Sequence, residues 1–432
     1  MAGFGFTPGD DFDENQRENL EEMMRQMQEQ IQAQFQQLGF AAMPGAMPGA
    51  MPGAMGSPLE ILPQKTVRDT ARKFVQTSGC QPIGTNDVTA ISNACQIADI
   101  WLNESTLFPA TTPQSQIAIS RLDWVDATLA GWQETMTPLA QGLTDAIGRL
   151  LADAMRDQSV EMAGAPAPVE AIAAMLKSFI GTMIATQLGQ AVGSIAATST
   201  GAHDAALPIL EPAHPLLIPE NIEAWGADSE IAKTEIYLFH ALRESAIARL
   251  FAHNPWIVSY IRSSIAEYGA GIHIDLDAIT RQAEEVMNGN IEESFTIELN
   301  KGLFTPEETP QQKLALTKLE TVLALVDGWA DDVATQAAGD RIPSITSLRE
   351  LHRRSRAESS PSTHLFKTLL GLEVSPRLAR EASAFFSRIR EVKGVEGRDA
   401  MWSGILPTAN ELLAPDLFIE STQIPDDPSS LF

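Results

Sequence analysis

The chain has 432 residues, of which 44% are hydrophobic, and its 56 acidic and 30 basic side chains give a formal net charge of −26. This length allows a large buried core and two or three domains. The negative charge opposes binding to nucleic acid or to an anionic membrane, because neither polyanion releases counterions to an acidic surface. Only two cysteines occur, which excludes a disulfide-stapled secreted scaffold.

Residues 1–57 differ in composition from the rest of the chain. An acidic start precedes a Met- and Gln-rich stretch, residues 14–38, whose apolar residues recur at helical spacing. An AMPG repeat follows, and proline and glycine at every fourth position or so forbid regular structure. We predict a disordered acidic arm that carries one helix and a flexible linker. Docking of that helix on a partner or on the rest of the chain is the alternative.

The first residues lack the basic start and apolar core of a signal peptide. The most apolar stretch, residues 169–197, contains Lys177, Gln187 and Gln190, which favours a buried helix over a membrane span. A soluble, cytoplasmic protein is therefore expected.

Residues 58–432 are predicted to form one mainly α domain with at most a small sheet. Apolar residues recur at helical spacing through most of it, and proline- and glycine-rich stretches separate the helices. The proline-rich apolar stretch 206–218 is a candidate edge strand. The predicted helices span residues 67–76, 86–103, 117–129, 135–154, 169–197, 228–251, 255–269, 275–288, 307–339, 345–358, 375–393 and 398–403.

Small residues recur at every fourth position in the predicted helix at 169–197, namely Gly181, Ala185, Gly189, Gly193 and Ala197. Such a stripe forms a groove in which the backbone of a second helix can approach closely. We expect it to serve packing inside the protein.

One long segment resembles a known family. Residues 234–275 read TEIYLFHALRESAIARLFAHNPWIVSYIRSSIAEYGAGIHID and are similar to the central segment of the zincin-like hydrolases, or zinc-dependent metalloproteases. Segments at 97–106 (IADIWLNEST), 187–196 (QLGQAVGSIA) and 316–333 (LTKLETVLALVDGWADDV) are similar to other helices of that family. The resemblance covers nearly everything after residue 58. It implies a zincin-like multi-helix domain over 58–432, with zinc as the cofactor and hydrolysis as the activity.

The zinc-binding motif of that family is altered here. The pattern H-E-x-x-H places two imidazoles on one helix face, and its glutamate takes a proton from the zinc-bound water. In the register that the resemblance fixes, residues 243–247 read R-E-S-A-I. Arg243 offers no lone pair and Ile247 has no donor atom. Asp327 stands where relatives are expected to supply a further ligand.

We therefore interpret Glu244 as a vestigial general base, and Arg243, Ile247 and Asp327 as degenerate ligand positions that hold no metal. Arg243 is expected to pair with Asp327, or failing that with Glu244. The expected function is that of a catalytically inactive scaffold or interaction protein with a protein or peptide partner. The alternative is an active hydrolase or peptidase with a non-standard metal site.

Two further side-chain groups have a structural interpretation. His240 and Glu244 share a helix face at i and i+4, and we expect them to be hydrogen-bonded to each other rather than to bind metal together with Asp327. A basic cluster is expected to pair with acidic neighbours or to form a solvated helix face, rather than to bind phosphate or nucleic acid; its members are Arg349, His352, Arg353, Arg354 and Arg356.

Overall fold

A computed structural model describes residues 61–112, 116–158, 169–272, 309–358, 360–370, 374, 378–403 and 406–421. The chain divides between Pro58 and Leu59 into two units, and all of these residues belong to the second. The predicted arm and the predicted helix at 275–288 lie outside the described residues.

Helices dominate the described chain, which confirms the prediction of a mainly α fold. Two short 3-10 helices, Gly339–Arg341 and Met401–Ser403, accompany the α-helices. The α-helices, in chain order, are α1 (Gln64–Ser78), α2 (Thr85–Asn103), α3 (Arg121–Gln158), α4 (Val169–Thr198), α5 (Pro219–Gly226), α6 (Lys233–His253), α7 (Pro255–Ala270), α8 (Pro310–Ala338), α9 (Ile345–Glu358), α10 (Pro361–Leu370), α11 (Ala379–Ala400), α12 (Ala409–Leu412) and α13 (Pro415–Ser421).

Helix α3 replaces two predicted helices. The chain continues as a helix through Pro138, so that the predicted helices at 117–129 and 135–154 form one element. Its first turn also begins later than predicted. Ser120 caps the helix through a hydrogen bond to the backbone N–H of Asp123 (3.1 Å), and residues 117–119 are extended.

Helix α6 is surrounded by other helices. It contacts α2, α5, α7, α8 and α9, and every residue from Phe239 to Phe251 is buried. No single apolar stripe can be read in its sequence, because every face of this part of the helix meets another element. Three charged residues, Arg243, Glu244 and Arg249, are therefore buried with it and need partners within the protein.

The small-residue stripe of α4 faces α1. A Cβ atom added at Gly189 would lie 2.7 Å from the carbonyl oxygen of Val67, and one at Gly193 would lie 2.9 Å from that of Ala71. These distances are too short for any larger side chain. The expected close approach of a second helix backbone is confirmed at these two positions.

Three short extended segments lie side by side. Leu217 forms a parallel bridge with Ala118 and an antiparallel bridge with Gly201. The predicted edge strand at 206–218 is thus reduced to its last residues, and these lie between the other two segments rather than at an edge. Three prolines in this stretch lack the backbone N–H that a longer ladder needs.

In the described part of the chain, no helix is both long and apolar enough to cross a membrane.

Candidate functional site

Helix α6 carries the three positions that correspond to the zinc-binding motif. Arg243, Glu244 and Ile247 have relative exposures of only 6%, 4% and 4%. Ile247 belongs to the hydrophobic core. The two charged side chains leave the helix toward different neighbours, and each has its own set of partners.

Glu244 accepts four hydrogen bonds, three of them from backbone N–H groups. Its Oε1 atom accepts from the N–H of Ala202 (3.0 Å) and of Leu216 (3.1 Å), and from Nδ1–H of His203 (2.8 Å). Its Oε2 atom accepts from the N–H of His203 (3.1 Å). We call these donors the Glu244 cradle. It ties two of the extended segments to α6.

Gly201 leaves the space that the carboxylate of Glu244 occupies. A Cβ atom at this position would lie 2.4 Å from Oε2 and 2.7 Å from Cδ of Glu244. Neither atom can withdraw without breaking the hydrogen bonds of the cradle. The glycine and the buried carboxylate are therefore fitted to each other.

Arg243 pairs with Asp327, as the sequence predicted. Its Nη2 atom bonds Oδ1 of Asp327, and its Nη1 atom lies 3.4 Å from Oδ1 of Asp331. Only 7% of the Arg243 side chain and 21% of the Asp327 side chain are exposed. The guanidinium thus joins α6 to α8.

Asp331 collects further cations from α9. Arg349 and Arg353 approach its Oδ2 atom to 2.6 and 3.3 Å, and the hydroxyl of Ser383 donates to it at 2.7 Å. Burial alone would raise the pKa of Asp331, but the hydrogen bond from Arg349 and the charges of Arg243 and Arg349 hold it at about 2. The carboxylate is therefore ionised at neutral pH.

The remaining arginines of α9 are paired as well. Arg354 contacts Glu350 within the helix, and Arg356 contacts Asp204 at 3.0 Å. The expectation that this basic cluster pairs with acidic neighbours is confirmed. Its guanidinium groups are occupied by carboxylates, which leaves little capacity for a phosphate.

The expected hydrogen bond between His240 and Glu244 is wrong. Nδ1 of His240 lies 3.0 Å from the hydroxyl of Thr200 instead, and the partner of Glu244 is His203. Burial lowers the pKa of His240 to about 3, with Arg243 and Arg356 acting in the same direction against the opposing charge of Asp204. The imidazole is neutral at physiological pH.

The residues at the motif positions do not fit a zinc ion. A permanently charged guanidinium and a hydrocarbon side chain replace the two imidazoles, and the cradle engages both oxygens of Glu244. Nε2 of His203 and of His240 are buried without a hydrogen-bond partner. Even so, among the described residues no group of three or more His, Cys, Asp or Glu side chains is placed to hold a metal.

A cleft of about 880 Å³ lies next to the Glu244 cradle. It opens between α2 and the start of α3, and we call it the α2–α3 cleft. Pro215, on its wall, precedes the cradle residue Leu216, and Cys95 lies at its inner end. Burial raises the pKa of the Cys95 thiol to about 12, and the nearby carboxylates of Glu244 and Asp99 add to this. The thiol stays protonated and cannot serve as a nucleophile at neutral pH.

The fold of this chain is also found in a protein of known structure. A solved structure, of "a putative hydrolase with a novel fold" from Chloroflexus aurantiacus, superposes with a TM-score of 0.56 at 16% sequence identity, over 83% of this chain and 98% of that one. The two proteins therefore share a fold.

The family is shown by the sequence itself. The family model for zincin-like metallopeptidases matches residues 64–419, which is most of the chain. This chain belongs to the zincin-like metallopeptidase family. No curated protein matches it significantly.

Proposed function

We propose that this chain is a catalytically inactive member of its family, which acts as a scaffold or interaction protein for a protein or peptide partner. The observation that carries the proposal is the Glu244 cradle. A general base must keep an oxygen within hydrogen-bond reach of the proton that it removes. Glu244 instead receives three backbone N–H groups and an imidazole N–H, so its carboxylate supports the fold.

The other motif positions support the same proposal. Arg243 supplies a positive charge between α6 and α8, where it faces Asp327 and Asp331. Ile247 contributes to the core. Each side chain has a structural role in its present chemical form, and no catalytic step follows from this set of residues.

An active hydrolase or peptidase with a non-standard metal site is the alternative. Within the described residues, the unpartnered Nε2 atoms of His203 and His240 are the feature that favours it. Two imidazoles still need a third donor to form a protein zinc site. We therefore prefer the inactive protein.

Hydrolysis assays with matched glutamate variants test the proposal. The full-length protein, supplied with zinc, would be incubated with labelled casein and with a mixture of quenched fluorescent peptides. Glu244→Gln is the test variant and Glu230→Gln, at an exposed position, is the control. We expect no turnover from any of the three proteins, with circular dichroism confirming that each is folded. Hydrolysis by wild type and Glu230→Gln that disappears in Glu244→Gln and with chelator would refute the proposal.

A further inference from the structure

The α2–α3 cleft is bordered on one side by an extended segment with a free edge. Residues 117–119 pair with Leu217 through two hydrogen bonds, from Leu217 N–H to Ile117 C=O (2.8 Å) and from Ile119 N–H to Leu217 C=O (3.0 Å). The C=O of Ile117 and the N–H of Ile119 therefore point toward Leu217. Successive residues of an extended chain direct their backbone groups to opposite sides. The N–H and C=O of Ala118 therefore point away from Leu217.

Ala118 is one of the residues that line the cleft. Neither its N–H nor its C=O has a hydrogen-bond partner in the described part of the chain, although the residue has only 4% relative exposure. Buried backbone groups of this kind are normally satisfied. An extended peptide laid in the cleft would satisfy both by adding a strand beside residues 117–119.

The negative charge of the cleft favours a basic side chain in such a peptide. Asp99 and Asp123 line the cleft, and no Lys, Arg or His occurs among the lining residues that the structure describes. The carboxylate of Asp99 forms a salt bridge with Arg249 at 2.9 Å. Asp123 is exposed, and within the described residues no cation pairs with it. A lysine or arginine of the ligand would complement Asp123.

The remaining walls favour apolar or small neighbours of that basic residue. Ile83, Val88 and Ile117 line the cleft, and Val88 is 43% exposed although it is a large apolar side chain. A ligand that covers Val88 removes apolar surface from water, which favours binding.

We infer that the α2–α3 cleft binds an extended polypeptide segment in which a lysine or arginine is flanked by small or apolar residues, with Ala118 pairing its backbone and Asp123 its cation. The inference rests on the proposed function, because it identifies the chemistry of the partner.

Binding of matched peptides tests this inference. The probe is a fluorescein-labelled peptide, Ala-Val-Ala-Lys-Ala-Val-Ala with blocked ends, compared with versions that carry norleucine or glutamate in place of lysine. Anisotropy titrations with the full-length protein at low salt should give a Kd about tenfold lower for the lysine than for the glutamate peptide, a difference of about 1.4 kcal/mol. The norleucine peptide should fall between them. The difference should shrink at high salt.

Two charge variants on one helix locate the binding site. Asp123→Asn should remove most of the preference for lysine. Asp145→Asn makes the same change at an exposed position 22 residues further along α3, about 33 Å away, and should leave the preference intact. Peptides N-methylated at alternate residues test the backbone pairing without altering the protein. One of the two alternating sets should lose about tenfold in affinity, because its methyl groups block the N–H that faces Ala118.

Three outcomes separate the inference from the proposed function. Equal affinity for the lysine and glutamate peptides, or a preference that survives Asp123→Asn, would overturn the inference and leave the inactive protein in place. Indifference to N-methylation in both sets would also overturn it. Selective binding of the lysine peptide followed by its cleavage, detected by mass spectrometry, would support the cleft assignment and refute the proposed function.

Discussion

Two adjoining regions of this molecule differ in how they use their polar groups. At the motif positions, Arg243 and Glu244 are buried and each has a full set of partners. In the α2–α3 cleft, as far as the described residues show, the backbone N–H and C=O of Ala118 have no hydrogen-bond partner, the carboxylate of Asp123 accepts from the hydroxyl of Ser120 but pairs with no cation, and Val88 remains exposed. The first region has the properties of a structural core and the second those of a binding surface.

A metal site and a binding cleft can follow separate constraints. A metal centre depends on a few donor atoms at fixed distances, so two substitutions are enough to remove it. A cleft depends on the spacing of helices and extended segments, which the surrounding core maintains. Here the core contacts include Ile247.

The largest effect is expected from Glu244→Ala. The substitution leaves three backbone N–H groups and His203 without an acceptor in a buried place. The free energy of unfolding should fall by about 3–5 kcal/mol. Urea denaturation monitored by circular dichroism measures it, with the exposed Glu230→Ala as control, for which a change within about 0.5 kcal/mol is expected. Unchanged or increased stability of Glu244→Ala would mean that this carboxylate is retained for a function rather than for the fold.

Gly201→Ala tests the close fit between Gly201 and the carboxylate of Glu244. The added methyl group collides with Oε2 of Glu244 and should cost about 1–3 kcal/mol through overpacking. In the Glu244→Ala background this collision partner is gone, so most of the added cost should disappear, although the added Cβ still lies 3.2 Å from the carbonyl oxygen of Leu216. Equal costs in both backgrounds would show that the fit between Gly201 and Glu244 does not constrain the fold.

The two members of the ion pair between α6 and α8, Arg243 and Asp327, are expected to contribute unequally to stability. Arg243→Ala leaves Asp327 and Asp331 facing one another with less compensation and should cost about 3 kcal/mol. Asp327→Ala should cost less, because Arg243 keeps Asp331 as a partner and the side chain of Asp327 is 21% exposed. The double variant should cost clearly less than the sum of the two. Strictly additive costs would mean that the two side chains contribute independently.

The sequence predicted much of the α6–α8 region, and for identifiable reasons. Arg243 and Asp327 stand at positions that the family resemblance brings together, and their opposite charges led to the expected pair. The stripe that includes Gly189 and Gly193 recorded a helix contact, because only small residues allow two backbones to come so close. The mainly α fold followed from helical periodicity through most of the chain.

The Glu244 cradle was not predictable in the same way. Three of its donors are backbone N–H groups, which every residue except proline carries and which leave no signal in the sequence. His203 lies 41 positions from Glu244, and its partner is set by the packing of an extended segment on α6. The extended conformation of residues 117–119 likewise depends on Leu217, a distant residue, and so overrode their local helical pattern.

Acid should lower the free energy of unfolding through two buried histidines. Burial lowers the pKa of His240 from 6.5 to about 3 and that of His352 well below 6.5. The unfolded chain takes up these protons as the pH falls below about 6.5, whereas the folded chain does not. The stabilising contribution of both residues is therefore complete above that pH and is lost progressively as the pH falls toward 3.

Urea denaturation at several pH values between 7.5 and 4 tests this dependence. Each histidine should contribute a slope of up to about 1.4 kcal/mol per pH unit below pH 6. His240→Asn can still face Thr200 and should lower the slope by about that amount. Asp331, with its pKa at about 2 instead of 3.8, should add a second loss that begins only below about pH 4. Unfolding free energies that stay flat from pH 7.5 to 4.5 would contradict the buried neutral state of both histidines.

The smallest effect on stability is expected in the cleft. Asp123→Asn removes an exposed charge but keeps an oxygen that can accept from the hydroxyl of Ser120. Its effect on the free energy of unfolding should stay within about 0.5 kcal/mol. A loss comparable to that of Glu244→Ala would mean that Asp123 also supports the fold, and the contrast between the two regions would fail.

The zinc content of the purified protein decides whether the motif positions on α6 hold a metal ion. The full-length chain would be expressed in zinc-supplemented medium and purified without chelator. Its zinc content per chain would then be measured by elemental mass spectrometry. With Arg243 and Ile247 at the ligand positions and both oxygens of Glu244 engaged, we predict less than about 0.1 zinc per chain. About one tightly held zinc per chain, lost in Glu244→Gln and retained in Glu230→Gln, would contradict the account.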